Sequence, residues 1–344
     1  MHNTADTNSR AAKPPRTEND FGWIASTARV AMRLLSPGLA NGRLSILIYH
    51  RVLPCRDSLF PGEADAQCFE REMRLVRSSF NIIGLADAVR AMRRGTLPPR
   101  AACVTFDDGY ADNAEVALPI LQKLGIPATF FIATGFLDGG RMWNDTVIEL
   151  VRGASGAELD LEQLGFGRFD ITDVPQRQRA ITTLIGKLKY LPLQERKEQI
   201  DAICKHLQPD LPNNLMMTAD QVRQLHNAGM DIGGHTVNHP ILARLDASAA
   251  RREIAEGKET LEAMIGARVR LFAYPNGKPG QDYLAEHVGI VKDLGFEGAV
   301  STAWGAMPSA PDLYQLPRFT PWDQGAHKFM LRMARNLLKR AEVV

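Results

Sequence analysis

Short, predominantly apolar runs alternate with longer helix-patterned stretches over most of this chain, and that rhythm leaves few folds open. Residues 44–49, 101–106, 128–133, 269–274 and 298–301 are too short for helices and rich in apolar and β-branched side chains. Runs of this kind read as strands buried on both faces. Helix patterns at 66–78, 85–94, 114–124, 248–265 and 284–294 lie between them, and 231–233 reads as a further strand. Parallel strands joined by helical crossovers satisfy both features. The expected class is α/β, with the sheet curled into a distorted (β/α) barrel, and 344 residues suit one such barrel.

From 138 to about 217 the alternation lapses. That stretch is helical and charged, with one short hairpin pattern near 166–171, and it reads as a helical insertion on the scaffold. The barrel is then expected over 41–325. Ahead of it, 1–40 reads as a disordered polar arm, broken by Pro14 and Pro15, followed by a short helix over 21–35. Behind it, 326–344 carries an amphipathic helix with Phe329, Met330, Met333, Leu337 and Leu338 on one side. Lys328, Arg332, Arg335 and Lys339 form a basic stripe. Such a helix either packs on the barrel with a solvated face or makes weak peripheral contact with an anionic membrane surface.

Composition excludes more than it identifies. Apolar residues make up 45% and charged residues 23%, enough to bury a core without disulfides. A net charge of +2 offers no electrostatic footprint for nucleic acid. The cysteines form no CxxC pair and suit a reducing compartment; Cys103, inside an apolar run, reads as a buried inert thiol. No apolar h-region opens the sequence, and no run nears the roughly 18 apolar residues of a bilayer span. A cytoplasmic location is therefore expected, and the oligomeric state is left open.

Two motifs carry chemistry. Thr105-Phe106-Asp107-Asp108-Gly109-Tyr110 puts adjacent carboxylates at the C-terminal end of a buried strand. Such a pair is costly unless hydrogen-bonded, ion-paired or bound to a cation, and parallel α/β sheets build their sites at that end. A plain turn, with Asp capping backbone amides and Gly109 at positive φ, accounts for the same residues. Gly233-Gly234-His235-Thr236-Val237-Asn238-His239-Pro240 follows a second strand. Histidines at i and i+4 share one face of a helical turn and can share a small cation, although two surface histidines would fit the spacing equally well. A common site gains weight because both motifs leave strand ends on the same side of a parallel sheet. Two imidazoles and one carboxylate suit zinc or a related divalent ion with open positions, leaving the second carboxylate free as a general base.

On TFDDGY at 105–110 and HTVNH at 235–239, with a weaker match of FAYPNG at 272–277, the chain resembles the polysaccharide deacetylase family. This is the NodB-homology, carbohydrate esterase 4 group, and the matching motifs span most of residues 44–322. The resemblance implies a barrel of about seven units and a carbohydrate substrate. The implied reaction is metal-dependent removal of acetyl groups from N-acetylated amino sugars of a polysaccharide or glycan precursor. It gives Asp107 as general base, Asp108, His235 and His239 as ligands of a divalent ion expected to be zinc, and the backbone N–H of Tyr110 as the oxyanion-stabilising group.

The chain departs from the family pattern twice. The C-terminal Leu-x-His motif that usually supplies the general acid is missing, and the first core strand ends instead in Tyr49-His50. That resembles a permuted branch of the family and makes His50 the expected acid. At the third motif Ala273-Tyr274-Pro275 stands where the family has an Arg orienting the base, and Arg318 is the candidate to pair with Asp107 in its place. Tyr274, Asn276, Trp322 and Trp143 are candidate substrate contacts, with packing as the alternative. Hydrolysis of another C–N bond, of the cyclic amide type, stays open because of the altered third motif. A carbohydrate-binding protein without turnover is the remaining alternative, though it would not need a free base beside the metal.

Overall fold

The computed structural model describes residues 29–30, 32–39, 42–305, 312–320, 325–339 and 341–344. The expected arm and most of the helix expected over 21–35 lie outside these residues, as does Trp322.

Seven strands form one parallel sheet: β1 Ser45–Tyr49, β2 Asn81–Ile82, β3 Ala101–Phe106, β4 Ala128–Ile132, β5 Asp231–Gly234, β6 Leu271–Ala273 and β7 Gly298–Val300. The order is β1-β3-β4-β5-β6-β7, with β2 paired to the start of β3. Every residue of β1, β3 and β4 is buried, as strands covered on both faces must be. Side chains of alternate residues part into two cores. Leu44, Ile46, Cys103, Phe131, Ala273 and Val300 gather on one side of the sheet. Leu47, Phe106, Phe130 and Phe272 face the other way, against Met73, Leu121, Ile254 and Val288 of the surrounding helices. Burial pushes the Cys103 thiol far up, which leaves it protonated and inert.

Local signals set the helix ends. Asp65 and Asp246 accept the backbone N–H three residues on, at the starts of Ala66–Ser79 and Ala247–Ile265. Thr218 and Gln221 form a capping box on Ala219–Asn227.

A stretch without a strand-like sequence pattern completes the curl. Leu316 bridges Val300 of β7, and Phe319 bridges Leu47 of β1, both in parallel. Leu316 N–H donates to the Ala299 carbonyl, while Ile48 N–H donates to Phe319 and Phe319 N–H to Ile46. This strap joins the last strand to the first and carries Arg318.

Between β4 and β5 the chain adds no strand to the sheet. Helix Trp143–Gly153, the hairpin of Glu158–Leu161 with Gly167–Asp170, and helices Val174–Leu188 and Leu193–Leu207 surround a core of their own. Val151, Leu161, Ile171 and Leu184 lie at its centre. Helix Ala326–Leu338 buries Phe329, Met330, Met333 and Leu337 against the barrel, whereas Leu338, expected on the same side, is exposed. The apolar side of that helix is thus occupied by the protein itself. No helix among the described residues is long and apolar enough to cross a membrane.

Candidate active site

β3 hands the chain directly to Asp107, whose N–H still donates to the Tyr49 carbonyl at the end of β1 (3.0 Å). At Asp108 the backbone then turns left-handed, with φ of 75°, and Gly109 follows at 95°. A left-handed aspartate is costly and persists only where its surroundings hold it. Here a hydrogen bond from Ala133 N–H to the Asp108 carbonyl and another from Met217 N–H to Gly109 hold the turn.

The histidine motif corrects one expectation. Residues 235–239 form no helical turn; they are a loop in which Thr236 (φ 68°) and His239 (φ 51°) are left-handed. The loop still brings the two imidazole centroids to 4.8 Å. Glu253, on helix Ala247–Ile265, shapes it by accepting from Val237 N–H (3.0 Å), Asn238 N–H (2.8 Å) and the Asn238 amide (2.7 Å). Gly257 on the same helix must be glycine, since a Cβ there would lie 2.9 Å from the Thr236 carbonyl.

Asp108 Oδ1 lies 3.4 Å from Nε2 of His235 and 3.4 Å from Nε2 of His239. Nδ1 of His235 is 2.8 Å from the Ala273 carbonyl, which can only accept, so Nδ1 carries a proton and Nε2 of the neutral ring presents a lone pair. Asp108 Oδ1 is buried with no hydrogen-bond partner. Ligand atoms of the three residues fall within 4.8 Å of one another. An unsatisfied buried oxygen beside two imidazole Nε2 atoms could hold a shared cation. Burial drives the His239 imidazole down to about 4, which keeps it neutral as a ligand must be.

Asp107 meets a different environment. Arg318 grips it bidentately, at 2.6 Å to Oδ1 and 2.7 Å to Oδ2, while also donating to Thr105 Oγ1 and the Ser301 carbonyl. Against the cost of burial, the guanidinium keeps this carboxyl below its usual value. The His235 Nε2 atom is 3.9 Å away.

His50, at the end of β1, is exposed and lines a cavity of about 270 Å³ together with Asp108, Tyr110 and Asp145. A π-helical turn, Asn113–Ala117, follows the aspartate motif and ties it to His50, because Asn113 donates to the His50 carbonyl (2.9 Å). Asp112 accepts from Val52 N–H (3.1 Å) and from Arg51 (2.8 Å) at the same strand end. Tyr110 is buried, and its hydroxyl donates to Asp145 (3.2 Å).

The candidate substrate contacts fare unevenly. Tyr274 does not reach the cleft: it is fully buried, stacked on Tyr283 at 3.9 Å, and its hydroxyl donates to the Tyr314 carbonyl. Packing of two tyrosines has taken the place of a sugar contact. Asn276 is half-buried in a left-handed turn (φ 59°), where its carbonyl accepts from Thr302. Trp143 lies under the Arg196 guanidinium, 4.7 Å away, beside a second cavity.

Sequence patterns single out neither Glu253, nor Asp145, nor the Asp112–Arg51 pair. Each acts across a tertiary contact and stands in no local pattern.

The sequence model of the family described as polysaccharide deacetylase matches residues 94–159 and 194–299, half of the chain. YxkH of Bacillus subtilis (strain 168), which carries a provisional description as a polysaccharide deacetylase, is 20% identical over 278 residues, covering 80% of this chain and 70% of YxkH. Among solved structures, the Streptococcus pyogenes deacetylase PplD in complex with acetate superposes with a TM-score of 0.56 at 18% identity, over 86% of this chain and 99% of PplD. IcaB from Ammonifex degensii gives 0.55 at 19% identity, over 86% of this chain and 97% of IcaB. At these identities the structural likenesses establish the fold.

Proposed function

The chain belongs to the polysaccharide deacetylase family, hydrolases of carbon–nitrogen bonds other than peptide bonds, and on that premise we propose that it is a metal-dependent N-deacetylase. Its substrate on this reading is an N-acetylated amino sugar of a polysaccharide or glycan precursor. One observation carries the reading: a buried, unsatisfied Asp108 oxygen faces both histidine Nε2 atoms, beside a second carboxylate that a guanidinium keeps ionised.

A divalent ion held by Asp108, His235 and His239, with zinc as the expected ion, would supply Lewis-acid polarisation of the acetamide carbonyl. The chain's own groups do the rest. Asp107 takes a proton from the attacking water, and Arg318 fixes the plane and charge of that carboxylate so that it is ready to accept. The Tyr110 N–H stabilises the oxyanion that develops on the carbonyl oxygen. His50, exposed at the rim of the cavity, delivers a proton to the departing nitrogen. Acetate and a free amine result; the presence of acetate in the PplD structure supports that product. The finer architecture belongs to this reading as well: a barrel of about seven units over 41–325, an insertion at 138–217, and a cytoplasmic location.

Release of acetate from a panel of N-acetylated glycans tests the function directly. Chelation should abolish release and added divalent ion should restore it. Turnover indifferent to chelation would overturn the metal-dependent reading.

A further inference from the structure

A second cavity, of about 480 Å³, lies on the other side of helix Trp143–Gly153 from the one that His50 lines. Arg141, Trp143, Arg196, Lys197, Asp201 and Asn238 contribute to its walls. Asn238 immediately precedes the candidate ligand His239 and is held in place by Glu253, so the cavity adjoins the histidine loop.

Its charge is unusual. Arg196 is only 5% exposed, yet no carboxylate pairs with it among the described residues, and burial alone accounts for the lowering of its pKa. Its contacts are the Trp143 ring, 4.7 Å below the guanidinium, and the Lys189 carbonyl at 3.2 Å. A guanidinium carries five N–H donors, and these contacts use few of them. Arg141 donates to Thr146 Oγ1 (3.0 Å) and to the Pro212 carbonyl, again with no acidic partner among the described residues. Lys197 is exposed at the rim. Asp201, the acidic residue of the lining, forms no ion pair with any of the three among the described residues. A buried cation without a counter-ion is expensive, and proteins retain one where an anion arrives to pair with it.

We propose that this cavity is an anion-binding subsite that takes a phosphate or carboxylate group carried by the glycan next to its acetylated sugar. Arg196 provides planar, two-pronged recognition over the Trp143 face, and Arg141 and Lys197 add charge. The placement beside the reacting sugar rests on the deacetylase reading; the anion site itself does not.

Calorimetric titration of the full-length protein with N-acetylglucosamine, its 1-phosphate and its uronate separates the cases. The parent should bind at least one of the two anionic sugars about tenfold or more tightly than the neutral one, and the two anionic arms identify which group is preferred. Arg196→Gln and Lys197→Glu should each reduce that preference; the second variant, at an exposed position, guards against a folding defect in the first. Equal affinity for neutral and anionic sugars overturns the proposal. So does an anion preference that survives both variants, since that binding would belong to the metal site. Acetate release from both neutral and anionic N-acetylated glycans is measured in parallel. Its absence alongside an intact, Arg196-dependent preference would sink the deacetylase reading and leave this one standing.

Discussion

Asp107 and Asp108 are adjacent in the chain yet meet opposite surroundings. One is neutralised by two short guanidinium hydrogen bonds; the other has a buried oxygen that no protein group satisfies. That division predicts separable losses. Asp107→Asn should keep its affinity for divalent metal while turnover falls by a factor on the order of 10² to 10⁴; parallel metal titration and acetate release measure the two. Asp145 gives a prediction in pH. Burial raises its carboxyl from 3.8 to about 7. Between those values the folded chain keeps a proton that the unfolded chain has lost, so stability falls as pH rises through the interval. Asp145→Asn cannot ionise. Its melting temperature should gain on the parent's from pH 4.5 to 7.5, by the equivalent of roughly 2–4 kcal/mol, and a constant difference would mean that Asp145 is already ionised in the fold at the acidic end. The aspartates and histidines were legible in the sequence because each pair sits in one contiguous motif at a strand end. Arg318 was visible only as a candidate, since its partner lies 211 residues away. Tyr274 misled because strand ends in such folds face both the cleft and the packed interior, and its position alone does not distinguish them.

At the scale of elements, the histidine loop depends on the helix behind it. The i, i+4 spacing read as a helical turn, but two left-handed residues and a carboxylate 15 to 16 positions away produce the same convergence by another route. Local spacing identified the chemistry and misjudged the backbone. Glu253 touches neither the ligands nor the cleft's reacting atoms. Glu253→Ala should nevertheless weaken metal affinity by about 10- to 100-fold, as loss of an outer-shell partner does, while far-UV circular dichroism stays unchanged. Unaltered metal affinity would show that the loop holds its shape without this carboxylate. Six strands of the sheet and the helices at Ala66–Ser79, Leu85–Arg94, Ala247–Ile265 and Ala285–Asp293 were readable to within a residue or two because their apolar periodicity is strong. The helices between Trp143 and Leu207 were legible only as one helical stretch. Other exceptions are β2, two residues long, and the π-helical turn at Asn113–Ala117, where an α-helix was the simpler expectation.

At the scale of the whole molecule, a parallel barrel was legible from the alternation of strands and helices, but its closure was not. The strap at Leu316–Phe319 pairs through two isolated bridges and has no extended apolar run to announce it. Phe319→Pro removes the N–H that donates to the Ile46 carbonyl. This variant should lose most of its acetate release while retaining its helical content, because Arg318 sits next to the broken bridge. Full activity in it would mean that Arg318 is positioned without the strap.

The strap also bears on the order in which a ribosome delivers this chain. The guanidinium that neutralises Asp107 leaves the ribosome 211 residues after it. Until then the carboxylate is cheaper in water than in a barrel interior, so the nascent chain has an electrostatic reason to stay open at β1 and β3. Closure is thereby tied to the emergence of Arg318, and a fragment that stops short of it lacks the counter-charge that lets its base be buried.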